Sequence, residues 1–307
     1  MIMNKKDYYT LLYTLRERIK EDSSDLYSVI AYGSACRMEM IPNYSDVDIL
    51  AIIKDECLSE RTSQTLNRIM LELANVNIKI HLRVRNLYDL ENKTSGLFDC
   101  GVTSAINKLR DSIVLCGESM DNYYLSYLNT VKEEEILSNI SFRFSDLKYQ
   151  SRALLSLCSG GLGANISADL INYKAGCILY QLAELICYSR GILFENSNSC
   201  ISKVHQFYDS HLFSLAYRLK LGESAIDIPR LVSEVDHIIN SAVKTIDKSK
   251  LKNLLKVKIQ DSVAHEEDCY VRSWRELISE SGFAPGSLVV KKAAIDDGVL
   301  TINRYRI

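Results

Sequence analysis

The sequence predicts an α+β chain: a layered sheet-and-helix domain over residues 1–120, then an α-helical domain over residues 121–307 that ends in a short hairpin. Three observations predict it. Short apolar runs of strand character alternate with amphipathic helical stretches in the first part. Beyond about residue 120 strand signals give way to helical ones. A length of 307 residues also suits about two domains at ~150 residues each.

The elements follow in order. Tyr8, Leu11, Leu12, Leu15 and Ile19 recur at three- and four-residue steps, the stripe of an amphipathic helix. Val29-Ile30-Ala31-Tyr32 is a strand closed by a turn at Gly33-Ser34, and Asp46 to Ile53 is the next strand. Ser59 can cap a helix carrying Leu66, Ile69, Met70 and Leu73 on one face. A third strand alternates, with Val76, Ile78, Ile80, Leu82 and Val84 facing one way and Asn77, Lys79, His81, Arg83 and Arg85 the other. Residues 102–115 read as a helix running into a short apolar segment. Thr130-x-x-Glu133 has the form of a capping box. The glycine-rich stretch Ser159 to Gly163 reads as a helix–helix connection. Long helices are expected from Ala168 to Arg190 and from near Pro229, and a basic helical stretch over Lys244, Lys248, Lys250, Lys252, Lys256 and Lys258. Asp296-Asp297-Gly298 between two apolar runs marks the hairpin. The tyrosines at 8, 9 and 13 and at 123, 124 and 127 read as packing between the halves.

Composition removes several classes. Lys+Arg is 37 against Asp+Glu 39, so the chain is neither a globally basic nucleic-acid binder nor strongly acidic. No apolar run approaches the ~18 uncharged residues of a membrane helix, so no membrane partner is expected. The N-terminus turns polar at once, so the expected compartment is the cytoplasm. The nine cysteines are scattered without a C-x-x-C pair, which fits small residues in a reducing environment.

The chemistry lies in Ala31-Tyr32-Gly33-Ser34-Ala35-Cys36-Arg37, a loop, then Tyr44-Ser45-Asp46-Val47-Asp48-Ile49-Leu50. Gly33 allows a sharp turn and a close approach of backbone to ligand. Ser34 stands where a helix could start, so its hydroxyl and the neighbouring amides could hold phosphate oxygens. Asp46 and Asp48 are two apart on a strand, which points both carboxylates to one face. Like charges so close call for a cation, and hard oxygen donors favour Mg²⁺ shared with substrate phosphates. Together these are the parts of phosphoryl or nucleotidyl transfer.

This stretch resembles the nucleotidyltransferase superfamily related to DNA polymerase beta, through its Gly-Ser, spacer, Asp-x-Asp signature. Arg37 and Tyr44-Ser45-Asp46 are most similar to the kanamycin nucleotidyltransferase branch and the small bacterial nucleotidyltransferases. The motif covers about residues 28–54, and the order of strands and helices extends the likeness loosely to about 116. The resemblance implies a mixed sheet, two Mg²⁺ ions and transfer of a nucleoside monophosphate from a nucleoside triphosphate. By position it implies that Gly33, Ser34, Arg37 and Ser45 bind the nucleotide, with Arg37 neutralising phosphate, and that Asp46 and Asp48 hold the metal and act in catalysis.

One feature departs from that family. Its members usually carry a third acid on the strand after the intervening helix, and the corresponding face here offers only Asn77, Lys79, His81, Arg83 and Arg85. His81 is a candidate base or ligand because imidazole titrates near neutrality. Glu184 is a candidate base from the helical half, which resembles in pattern the HEPN-like and antibiotic-transferase bundles. No Arg-x4-6-His pair is present at Arg190, so an HEPN ribonuclease is excluded. The expected activity is Mg²⁺-dependent transfer of AMP from ATP to a hydroxyl of a small molecule such as an antibiotic. Nucleotidylation of a protein or RNA, as in antitoxin-like relatives, is the alternative, and a non-catalytic nucleotide-binding module is the third reading. A homodimer stays open.

Overall fold

The structure, a computed structural model, describes residues 5–22, 26–41, 44–54, 60, 64, 67–68, 79–88, 101–159, 166–208, 211–263, 265, 267–282 and 288–307. The fold is α+β. A seven-stranded mixed sheet runs through the molecule in the order β3-β2-β1-β4-β6-β7-β5. β1 (Leu26–Tyr32) pairs antiparallel with β2 (Val47–Ile53) on one side and β4 (Ile113–Gly117) on the other. β3 (Ile80–Asn86) lies parallel to β2, with His81 opposite Asp48. The hairpin expected at Asp297-Gly298 is present as β6 (Val289–Asp296) and β7 (Val299–Arg306). Asp297 and Gly298 both take positive φ, 50° and 75°, which an Asp-Gly pair tolerates in a two-residue hairpin turn. Val289 pairs with Val114, so the hairpin continues the N-terminal sheet, and β5 (Val257–Asp261) adds to its far side parallel to β7.

The central strands read as nearly unbroken apolar runs because both of their faces are buried. Val29, Ala31, Val47, Ile49, Ala51, Ile113 and Leu115 pack under α1 (Lys5–Asp22) and a late helix, Cys269–Ser281. Tyr8, Tyr9 and Tyr13 are buried there, Tyr9 edge-on to Trp274 at 5.3 Å. These three therefore pack α1, from the first part of the chain, against a helix from the second part on the outer face of the sheet, the packing between the halves that the sequence suggests. Ile30, Leu50, Ile52 and Val114 point the other way, into a large core shared with the helices. In chain order those helices are α2 (Gly101–Asp111), α3 (Asp121–Thr130), α4 (Glu133–Cys158), α5 (Ala168–Ser189), α6 (Ser197–Val204), α7 (His211–Lys220) and α8 (Ile228–Lys244).

Several local expectations are corrected. Thr130 ends α3, its hydroxyl bonded back to the Tyr127 carbonyl, and is not a cap for the next helix. That helix starts at Glu133, where the Glu135 carboxylate accepts from the Lys132 amide at 3.2 Å. The basic stretch is not one helix: α9 (Lys248–Leu251) is a single turn, residues 252–255 are a 3₁₀ turn, and Val257 already begins β5. Residues 33–38 form turns in which Glu39 N bonds Ser34 O and Met38 N bonds Ala35 O, so Ser34 does not open a helix. The capping Ser59, most of its helix, Val76 to Ile78 and the stretch Gly160 to Gly163 lie outside the described residues. No helix among the described residues is long and apolar enough to cross a membrane.

Candidate active site

Strand alternation places the site. Val47 and Ile49 are committed to the outer core, so Asp48 between them must face the helices, as Leu50 and Ile52 do. The parallel register then sets His81 beside Asp48, with Nδ1 3.2 Å from Oδ1. Asp46, just before the strand, completes a trio whose ligand atoms lie within 4.8 Å of one another. The alternation read in the third strand holds over the part described. Ile80, Leu82 and Val84 pack on the outer core, leaving His81, Arg83 and Arg85 on the Asp48 face.

Gly33 follows β1 at φ 79°, a left-handed conformation that side chains disfavour. A β-carbon there would stand 2.8 Å from Asp48 Oδ2, so the turn lies directly against the carboxylate. Burial and the neighbouring Asp46 charge push the Asp48 carboxyl up to about 6, opposed by His81 and Arg83. Two carboxylates this close gain from a divalent cation between them, and the oxygen donors suit Mg²⁺. The donor set therefore fits the metal that the resemblance implies.

Behind the trio lies a cleft of about 290 Å³ between the sheet and the helices. Gly33, Arg37, Asp48 and Glu184 all line it, four of the expected residues from two distant parts of the chain. Burial raises the Glu184 carboxyl above the ordinary glutamate range, with Arg110 and Arg37 pulling it back. Arg37 is already held: Nε donates to Glu39 at 3.0 Å and Nη1 to Asp111 at 2.8 Å. Arg110 grips the same Asp111 with two bonds of 2.7 Å. Those guanidinium groups hold the Asp111 carboxyl below its usual range despite burial. Arg37 thus braces the cleft floor through Asp111. Ser34 is half-buried in the turn and is not part of the cleft wall. Ser45 is buried, its Oγ accepting from the Ile41 amide at 2.9 Å and standing 3.5 Å from the Tyr173 hydroxyl.

The sequence reading missed Lys108, Asp111, Arg143, Gln181 and Lys220, which also line the cleft. A signal existed for Gln181. With Glu184 it interrupts the apolar run Ile178 to Ile186 at a three-residue spacing, which puts two polar groups on one face of a buried helix. Arg143 and Lys220 had none, because each sits on an amphipathic helix where a charge is expected to meet solvent. No protein-family model matches the chain, and a comparison with curated proteins finds no match.

Proposed function

We propose that this protein is a nucleotidyltransferase that moves a nucleoside monophosphate, AMP by first expectation, from a nucleoside triphosphate to a hydroxyl of a small molecule. The observation that carries the reading is the meeting of Asp48 with both Gly33 and Glu184 at one cleft: a metal-type carboxylate, a turn open to phosphate and a half-buried acid. Asp46 and Asp48 would hold Mg²⁺, with His81 in reach as a further ligand. Bound there, Mg²⁺ supplies charge neutralisation for the triphosphate and a fixed orientation for the attacking oxygen. Gly33 lets the backbone come close to the phosphates with no side chain in the way. Glu184 stands in place of the third acid missing from β3 and takes the proton of the acceptor hydroxyl at its carboxylate oxygen. A cleft near the lower end of small-molecule site volumes favours a small acceptor over a macromolecular one.

The test is incubation with labelled nucleoside triphosphates, Mg²⁺ and a panel of hydroxyl acceptors, reading pyrophosphate release and product mass. Label should pass to a small molecule, and Asp48→Ala should reduce the rate by more than about 100-fold, since it removes the carboxylate that Asp46 and His81 surround. Transfer undiminished in Asp48→Ala would refute the reading, and label on protein or RNA alone would favour the antitoxin-like alternative.

A further inference from the structure

We infer that the acceptor bound in this cleft is a small hydroxylated molecule carrying an oxyanion, a carboxylate or a phosphate, held by Arg143 while Gln181 orients its hydroxyl toward Glu184. This rests on the nucleotidyl-transfer reading and narrows its acceptor. Two polar atoms on the cleft residues are buried without any hydrogen-bond partner: Nε of Arg143 and Oε1 of Gln181. Buried groups of this kind are ordinarily satisfied, so an unfilled donor and an unfilled acceptor beside a cavity point to a ligand that fills both. Gln181 and Glu184 are three residues apart on α5 and share a face. Arg143 projects from α4, close enough for its charge to act on the Glu184 carboxyl.

Charge selects the class of ligand. The cleft residues include Lys108, Arg143 and Lys220, the last with its ammonium 4.9 Å from the Tyr180 ring centre. Asp111 is taken up by Arg110 and Arg37, and Asp48 faces the proposed metal. Among the described lining residues that leaves the Glu184 carboxylate facing the Arg143 and Lys220 cations. Such a wall repels a polycation such as an aminoglycoside, and a guanidinium fork is the side chain best shaped for carboxylate or phosphate. In the transfer step the acceptor oxygen forms a bond to the α-phosphorus, and the bond from that phosphorus to the bridging oxygen breaks. Pyrophosphate leaves, and the hydroxyl proton passes to Glu184.

The experiment uses the full chain with Mg²⁺ and a non-hydrolysable ATP analogue. Binding of four probes is measured by calorimetry and NMR: glycerol 3-phosphate, glycerate, glycerol and an aminoglycoside. At least one anionic probe should bind more than tenfold tighter than glycerol, and the aminoglycoside should bind weakest. Arg143→Ala should weaken the anionic probe at least tenfold, Arg143→Lys should restore part of the loss, and Gln181→Leu should weaken it severalfold. Preference for glycerol or the aminoglycoside over both anions overturns the inference and leaves nucleotidyl transfer standing. Equal loss of the ATP analogue in Arg143→Ala also overturns it, because Arg143 would then serve the donor. Failure of the analogue itself to bind the wild-type protein with Mg²⁺ takes down the transfer reading and, with it, this inference.

Discussion

A single glycine carries much of the geometry at the reacting centre. Gly33 turns the chain at φ 79°, and a methyl group in place of its hydrogen would stand 2.8 Å from Asp48 Oδ2. Gly33→Ala should therefore lower stability by only about 1–2 kcal/mol, the cost of a left-handed non-glycine residue. Transfer should fall far more, because the carboxylate must move to make room. Thermal unfolding and the transfer assay, run side by side, separate the two effects; activity falling only in step with stability would contradict this account. Glu184 gives a second prediction at the same scale. Its folded-state pKa lies above the ordinary glutamate value, so the base is protonated and inactive at low pH and becomes competent as pH rises through the raised value. The rate profile should show an acid limb above the usual carboxylate range of about 4.3. Glu184→Gln should lower kcat roughly 10²–10⁴-fold, and the residual activity should lose that limb. An unchanged limb in the variant would assign it to another group.

Elements meet around Asp111, the last residue of α2, which ties that helix to the turn bearing Arg37. Its carboxylate is buried and receives bonds from two guanidinium groups. Removing it in Asp111→Ala takes the carboxylate partner from buried Arg110 and leaves Arg37 only Glu39, which should cost about 3–5 kcal/mol, measurable by urea unfolding. Because the folded-state pKa of Asp111 is lowered, its contribution is complete above the unfolded value of about 3.9 and is lost as pH falls below it. The wild-type protein should therefore lose stability in acid more steeply than the variant. How much of this level was legible in the sequence follows from the range of each interaction. Strand alternation at Leu82 and Val84, the limits of α5 and the Asp297-Gly298 turn are local patterns, and they read correctly. The Arg37–Asp111 pair spans 74 residues, and Arg110 is its neighbour's partner by geometry alone. Neither leaves a periodic trace. Thr130 misled because a hydroxyl three residues before a glutamate caps either the helix after it or the end of the one before it, and here Tyr127 takes its proton.

At the scale of the whole molecule the chain closes on itself. The expected split into residues 1–120 and 121–307 follows the change in pattern, yet β5, β6 and β7 extend the sheet that β1 to β4 begin. Pairing over such a separation is set by edges meeting in space, which no window of sequence contains. One buried ion pair fastens the closure. The Lys291 ammonium on β6 contacts Asp121 at the start of α3, their side chains 1% and 2% exposed, and also bonds Ser112 at 2.8 Å. Arg304 on β7 reaches the same carboxylate at 3.4 Å. Lys291→Met removes the nearer cation and leaves Asp121 buried beside a more distant one, which should cost about 3–5 kcal/mol. The manner of unfolding is the sharper readout. Trp274, the only tryptophan, lies on the outer face of the sheet against Tyr9, while most of the helical signal comes from the opposite face. If the sheet couples the two layers, tryptophan fluorescence and far-UV circular dichroism should report one coincident transition in the wild-type protein. Both should shift together to lower denaturant in Lys291→Met. Trp274 holding its native emission while the helices melt would mean that the sheet does not bind the layers into one cooperative unit, and that the helical wall of the cleft can unfold while the outer layer stays folded.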